Sequence, residues 1–316
     1  MQSVLAPHGP EAAAVATLGW VMFAGGALIC LALAGLVVLA IRGKGGARRV
    51  LKTEKFIVWS GVLLPVVVLA GLLSWGLVVA GGRIAPPSPG ALQIEVVGEQ
   101  WWWRVRYGSG TGPDTAQAVE TANELRIPVG RDVELRLVSR DVIHSFWVPS
   151  LAGKVDMIPG MTNRLRLSAS EAGVFRGQCA EYCGGPHALM SFHVVALEAE
   201  AFEAWLAAQR RPAEAPATDA LRAGQSVFFS AGCHGCHTVR GANVGGVPAA
   251  GTIGPDLTHV AGRLTLGAAT LPTGPASFGR WVRENQHLKP GNRMPSFGFL
   301  SGGDVERLAS YLGSLK

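Results

Sequence analysis

Charge is scarce in this chain, and it is missing altogether from two long stretches. Only 16% of the 316 residues are Asp, Glu, Lys or Arg. No residue from Val15 to Ile41 is charged, and none is from Phe56 to Gly82. Each run exceeds the roughly 20 residues that cross a bilayer as a helix, which points to two membrane spans rather than a greasy globular core. Neither run holds a histidine, so the spans offer no imidazole for a haem or copper site. Residues 1–14 are polar and turn-rich and lack a basic cluster ahead of an apolar run, which argues against a cleaved secretory signal. Cysteine is sparse too, with 5 in all. Four of them sit in tight motifs. Cys30 stands alone in the first apolar run and reads as a small buried hydrophobe.

The charge that is present is concentrated. Arg42, Lys44, Arg48, Arg49, Lys52 and Lys55 crowd the segment between the spans, against Glu54 alone. A basic loop is commonly a solvated surface, but between two spans it sets topology: the loop faces inward and both chain ends face outward. With part of the net charge of +6 spent there, no nucleic-acid partner is expected. Pro65 predicts a bend in the second span.

Length allows about two domains outside the membrane. Ile84–Gly90, with three prolines, predicts a stiff turn out of the bilayer. Beyond it come short alternating runs: Leu92–Val96, Glu124–Ile127, Val133–Leu137, Arg164–Leu167 and Ser191–Leu197. Gly and Pro punctuate them, as expected of a β-sandwich or barrel. His193 falls within the last run and reads as a strand residue. Trp101, Trp102 and Trp103 cannot all point into one core, so at least one must be exposed or at an interface. Residues 199–209 predict a helix. The tract 210–218, rich in Pro and Ala, predicts a flexible tether that reaches roughly 25–30 Å when extended.

Two motifs carry chemistry. The first is Cys179-Ala-Glu-Tyr-Cys183-Gly-Gly-Pro-His187-Ala-Leu-Met190, preceded by Asp141-Val-Ile-His144. Two thiolates, two imidazoles and a thioether form a soft donor set that favours copper. Two thiolates can bridge a metal pair, with one histidine on each copper and Met190 and the Glu181 carbonyl as weak axial donors. Such a pair spreads one electron over two metals and suits electron transfer. A structural zinc on Cys179, Cys183, His187 and His144 competes, as does a disulfide. Zinc would leave Met190 idle; a disulfide would leave both histidines and Met190 idle. The second motif is Cys233-His-Gly-Cys236-His237, the pattern of c-type haem attachment through two thiols with an axial histidine. Met294, the only methionine after His237, is the sixth-ligand candidate, with His259 and His287 as alternatives. Met/His ligation raises the haem potential. From Ala217 onward the chain is mildly basic, either a docking patch for an acidic partner or a solvated surface.

Together, Asp141–Ser150, Cys179–Met190, Gly98–Trp103 and the two spans resemble subunit II of the haem-copper cytochrome c oxidases, over about residues 15–209. Gly224, Phe228, Gly254–Leu257 and the closing helix 304–315 resemble class I cytochrome c. The resemblance implies a multidomain membrane protein: an N-terminal outward segment 1–14, a transmembrane helix hairpin 15–82, an all-β cupredoxin domain 83–209, the linker 210–218 and an all-α cytochrome c domain 219–316. It implies a dinuclear copper A centre on His144, Cys179, Glu181 (carbonyl), Cys183, His187 and Met190, with Glu181 also reaching magnesium at the contact with subunit I. It implies haem c on Cys233 and Cys236, iron ligation by His237 and Met294, the Pro255 carbonyl fixing His237, and electron entry over Trp101. Many family members carry a glutamate before the proline of the second span, at the mouth of a proton channel. Val58 stands there here, with Glu54 about one turn earlier.

The implied function is a respiratory terminal-oxidase subunit in a bacterial plasma membrane, its copper and haem domains on the outer face. Electrons come from a cytochrome c or respiratory complex, pass from haem c to copper A, and go on to haem a in subunit I. Oxygen is reduced there with proton translocation, so no catalytic residue is expected in this chain. Subunit III is a further expected partner, besides membrane lipid. The alternatives are a copper A subunit of a nitric oxide reductase and a free-standing membrane-anchored electron carrier.

Overall fold

A computed structural model of the chain describes residues 2–81, 90–108 and 118–316. Most of the stiff turn expected at Ile84–Gly90 lies outside the described residues. Among those described, 12–81 form one compact unit, and 2–11 with the residues from 90 to 316 form the other.

The first unit is helical. It contains α1 (Pro10–Arg42), α2 (Gly45–Leu51), α3 (Glu54–Val58) and α4 (Leu64–Gly81), with α3 running into α4 through a π turn at Trp59–Leu63. Helix α1 and the joined helix Glu54–Gly81 are each long and apolar enough to cross a membrane, with mean hydropathies of 2.6 and 2.5. Thr53 caps the second of them by accepting from the Phe56 amide. Pro65 is the second residue of α4, just past the π turn. It has no N–H to return to the carbonyl four residues back, and the wider turn accommodates that loss.

Among the described residues, the second unit holds a β-domain of ten strands: β1 (Leu92–Glu99), β2 (Trp102–Tyr107), β3 (Val119–Ala122), β4 (Glu124–Pro128), β5 (Val133–Ser139), β6 (His144–Trp147), β7 (Val155–Met157), β8 (Asn163–Leu167), β9 (Gly173–Cys179) and β10 (Ser191–Leu197). They form two five-stranded sheets, ordered β3-β2-β1-β5-β8 and β4-β10-β9-β6-β7. Alternation drives this: Ile94, Val96, Leu135, Leu137, Leu165 and Leu167 point inward from one sheet and meet Phe146, Phe175, Phe192 and Val194 of the other. Trp103 is buried among them, its ring 5.0 Å from Phe192. Gly177 lets Phe192 in, since a Cβ there would lie 2.1 Å from the ring tip. Residues 2–11 lie against this domain: the His8 amide donates to Ser150 O at 2.7 Å, and the Ser170 amide to His8 O at 2.7 Å.

After α5 (Ala199–Gln209), the tract 210–218 is a bound strap rather than the flexible tether its composition predicts. The Ala213 amide donates to Arg240 O at 2.8 Å, and Arg240 returns bonds to the carbonyls of Gln209 and Arg210. An extended Pro/Ala segment leaves its carbonyls unpaired, and side chains of the next domain satisfy them. That domain is mainly helical: α6 (Asp219–Ser230), capped by Thr218, α7 (Pro275–Leu288) and α8 (Gly302–Ser314). Two short ladders complete it, β11 (Thr238–Val244) with β12 (Val247–Ala250) and β13 (Thr265–Leu266) with β14 (Leu271–Pro272). Helices α6 and α8 cross closely at Gly224, where a Cβ would lie 2.2 Å from Arg307 O.

Candidate metal and haem centres

Strand ends assemble the metal cluster. Strand β6 opens at His144, β9 closes at Cys179, and β10 begins one residue after Met190. Both β6 and β10 pair antiparallel with β9, placing Phe146 opposite Cys179 and Ser191 opposite Gln178, so these ends converge. The β9–β10 loop folds back over them, turning at Gly184 with φ of 107°. Cys179 Sγ then lies 3.8 Å from Cys183 Sγ, 3.8 Å from His144 Nδ1 and 3.2 Å from the Glu181 carbonyl oxygen. Cys183 Sγ lies 3.4 Å from His187 Nδ1 and 3.8 Å from Met190 Sδ. His144, Cys179 and Cys183 are buried, and their ligating atoms fall within 4.8 Å of one another. The sulfur separation is about twice a disulfide bond length, and both cysteines are free. The Glu181 carboxylate stays outside the cluster, 3.9 Å from Lys154 Nζ.

The electrostatics suit a cation. Interaction with the Cys183 sulfur lowers the Cys179 pKa to about 4 against the opposing effect of burial, with His144 adding to the drop. The same interaction, together with burial, pushes Cys183 well above the usual thiol range. Burial pulls the His144 imidazole down, but Asp141 and Cys179 more than offset this and leave it raised. Asp141 Oδ1 sits 2.9 Å from His144 Nε2, so Nδ1 is the nitrogen turned to sulfur. Burial would raise the Asp141 carboxyl, yet His144 and the amides of Gln100 and Val142 hold it below its ordinary value. Gly98 makes room for the imidazole, since a Cβ there would lie 2.7 Å from His144 Cδ2.

In the helical domain, the chain turns at Gly232 (φ 80°) just past the end of α6, and Cys233–Gly235 form a short 3-10 turn that presents Cys233, Cys236 and His237 together. His237 Nδ1 lies 2.8 Å from Pro255 O, which leaves Nε2 as the ring's free ligand atom. Burial lowers the His237 pKa, against the raising effect of the Pro255 carbonyl. Gly254 lies flat on that ring: a Cβ would sit 2.5 Å from His237 Cε1. Among the three sixth-ligand candidates, His259 has its ring nitrogens at 2.7 Å from Lys316 O and 3.0 Å from Arg211 O. His287 is exposed near the end of α7, whereas Met294 packs against the domain's core.

Trp101 touches both the cluster loop and the helical domain. Its Nε1 donates to Cys183 O at 2.9 Å, as does Gln100 Nε2 at 2.8 Å. Gly291 also lies near the ring: a Cβ there would be in ordinary contact with it, 3.8 Å away. Of the three tryptophans, Trp103 is the fully buried one, while Trp101 and Trp102 are half-buried.

Three contributors escape a reading of motifs. An acid three residues before His144 marks Asp141 as a possible imidazole partner, so that signal was present. Gly98 and Lys289 gave none. Lys289 Nζ donates to Trp101 O and Leu189 O, partners 188 and 100 residues away in sequence.

A membrane-anchored β-sandwich with a thiolate–imidazole cluster, joined to a small helical domain bearing a Cys-x-x-Cys-His turn, defines a redox protein of the electron-carrier class. Residues 92–197 match the profile of cytochrome c oxidase subunit II, periplasmic domain, and residues 221–316 match that of cytochrome c. Cytochrome c oxidase subunit 2 of Alkalihalophilus pseudofirmus is 35% identical over 305 residues, covering 92% of this chain and 85% of that protein. Its counterpart in Bacillus sp. (strain PS3) is 32% identical over 230 residues, covering 71% of this chain and 62% of the relative. The crystal structure of the periplasmic domain of subunit II from Bradyrhizobium japonicum shares 28% identity at a TM-score of 0.36, covering 40% of this chain and 96% of that one. The chain belongs to the cytochrome c oxidase subunit II family and carries a cytochrome c domain at its C-terminal end. It is thus an electron-transport subunit of an oxidoreductase, with transmembrane helices.

Proposed function

We propose that the chain receives electrons for a respiratory terminal oxidase through haem c, passes them to a dinuclear copper A centre and delivers them to haem a of subunit I. The convergence of six donors of the right softness carries this reading: Cys179, Cys183, His144, His187, Met190 and the Glu181 carbonyl. A zinc site would use four of the six and a disulfide two. When bound, the copper pair and the haem supply reversible one-electron chemistry. The residues of the chain bind, orient and shield. Asp141 fixes the ring of His144, and the Pro255 carbonyl fixes that of His237. Trp103, Phe146 and Phe192 keep water from one side of the cluster. Met294 and His237 are the iron ligands, with Cys233 and Cys236 as the covalent anchors.

The proposed division is a membrane hairpin at 15–82, a copper domain at 83–209, a linker at 210–218 and a haem domain at 219–316. The packing of residues 2–11 on the β-domain supports an orientation with both chain ends on the outer, periplasmic face and the basic segment 42–55 inside. The exposed Glu181 carboxylate is then the group free to reach magnesium where subunit I docks. Subunit III and a cytochrome c or respiratory complex as donor complete the assembly. The names of the relatives favour oxygen over nitric oxide as the final acceptor.

Metal and haem analysis of the purified complex tests the reading. Two coppers and one covalent haem per chain are expected, with a mixed-valence signal split by two equivalent coppers. Zinc, or a single copper with ordinary splitting, would overturn it. Replacing Cys179 or Cys183 with Ser should abolish the copper chromophore and leave the covalent haem in place.

A further inference from the structure

Lys289 is the most conspicuous polar group that the proposed function does not use. It is 2% exposed, and its Nζ donates to Trp101 O at 2.6 Å, Leu189 O at 2.8 Å and Gly267 O at 3.1 Å. Two of these carbonyls belong to the β-domain and one to the helical domain. Burial pushes its pKa down to about 7, opposed by nearby Cys183. Burying such a group is costly unless its hydrogen bonds are made, and leaving the three carbonyls without a donor would be costly in turn.

The residues around Lys289 tie this contact to both redox centres. Trp101 and Leu189 flank the cluster loop: the Trp101 indole donates to Cys183 O, and Leu189 precedes Met190. Past Lys289, the segment to Met294 is built rigidly onto α7. Asn292 Nδ2 donates to Asn285 and Lys289, and Gln286 Nε2 donates to the carbonyls of Asn292 and Met294, each at 2.7 Å. Whatever holds Lys289 therefore holds Met294. Gly291 lies against the Trp101 ring within this same segment.

We infer that Lys289 is the positioning residue that docks the haem-bearing domain on the copper-bearing one, its Nζ plugging a carbonyl socket formed by Trp101 and Leu189 so that the Met294 segment is held against Trp101. The inference rests on the proposed function for what the docking serves, though not for the docking itself. Other links across the same boundary are mixed: the Ser191 amide donates to Ala268 O at 3.3 Å, and three bonds join a side chain to a backbone group. Arg126 donates to Gly262 O at 2.9 Å, Arg104 to Thr252 O at 3.0 Å, and the Leu264 amide to Glu124 Oε2 at 2.7 Å. Arg293 to Asp141 is an ion pair, 3.3 Å long and with an exposed guanidinium. Salt screens that exposed pair far more than the buried plug. The domains are therefore docked by a contact that ionic strength barely weakens, and the electron has a fixed path rather than a diffusive one.

Two measurements on the intact complex test this. In Lys289→Met the covalent haem, its thioether charge-transfer band and the mixed-valence copper signal should all persist, because neither ligand set is touched. Haem-to-copper transfer should slow by about tenfold or more, while copper-to-haem-a transfer is unchanged. An unaltered haem-to-copper rate in a variant retaining both signals would overturn the inference. The second measurement needs no variant. Brief amine acetylation of the native complex, read by mass spectrometry, should modify exposed Lys154 and spare Lys289. Labelling of Lys289 at the rate of Lys154 would overturn the docked arrangement. Loss of either metal signal in the unmutated complex would instead count against the proposed function and leave the labelling result standing.

Discussion

Cys179 and Cys183 have the same chemistry and opposite proton affinities, and the difference is positional. The contact between the two sulfurs lowers the Cys179 pKa and raises that of Cys183, so Cys183 holds its proton the more tightly. A metal pair bridged by both sulfurs must displace the Cys183 proton. Copper uptake by the metal-free protein should therefore weaken as pH falls through the neutral range, by about tenfold in apparent affinity per pH unit for one proton released. A chelator-competition titration at several pH values would show it, and a flat profile would mean that Cys183 is not a ligand. In the haem domain Met294 is the proposed sixth ligand, because His259 lies within hydrogen-bond distance of two carbonyls and His287 is exposed. Met294→Ala should keep the haem covalently bound, lower its reduction potential and remove the thioether-to-iron band. Survival of that band, or loss of the low-spin state in His259→Ala or His287→Ala instead, would reassign the ligand.

Elements place these residues by meeting at their ends. In the β-domain the antiparallel register of β6, β9 and β10 carries His144, Cys179 and Met190 to one edge, and a one-residue slip of β9 would turn Cys179 to the opposite face. In the haem domain the corresponding event is a helix crossing. Gly224 lets α6 meet α8 with no side chain between, and a Cβ there would also lie 2.7 Å from Tyr311 Cβ. Phe228 packs on the Tyr311 ring at 5.9 Å beside that crossing. Gly224→Ala should push the helices apart and destabilise this domain by about 1–3 kcal/mol, the range for overpacking a tight core. Denaturant unfolding followed through the haem absorption would read the loss, while the copper chromophore should keep its midpoint. Equal shifts in both signals would mean that the two domains unfold as one unit.

At the scale of the molecule, the β-domain and the haem domain form one compact unit, and Trp101 touches both the cluster loop and the haem domain. Electron passage from haem to copper should be intramolecular, independent of protein concentration and only weakly dependent on salt. Delivery by a separate donor steered by surface charge would be screened. Trp101→Ala should slow that step and leave copper-to-haem-a transfer nearly unchanged. Stopped-flow reduction at several concentrations reads both. A rate rising with concentration would mean that the haem of one chain serves the copper of another, and an unaffected Trp101→Ala variant would reduce the indole to packing.

Sequence alone determined whatever depends on spacing along the chain. Two charge-free runs specify membrane helices because a bilayer excludes charge, and alternating runs specify strands because successive side chains face opposite ways. Six donors, five of them within twelve residues, point to a soft metal site because ligand chemistry is local, and Cys-x-x-Cys-His does the same for haem. Tertiary structure decided what depends on partners distant in sequence. Gly98 is required only because the His144 ring comes to rest on it, and Asp141 matters through the nitrogen it leaves free. The tract 210–218 reads as a tether from composition but is a strap, because Arg240 and His259 supply bonds that its own residues cannot. Lys289 looked like any surface lysine at a helix end. Its three acceptors come from parts of the chain that meet only when both domains have folded, so no local pattern could have announced it.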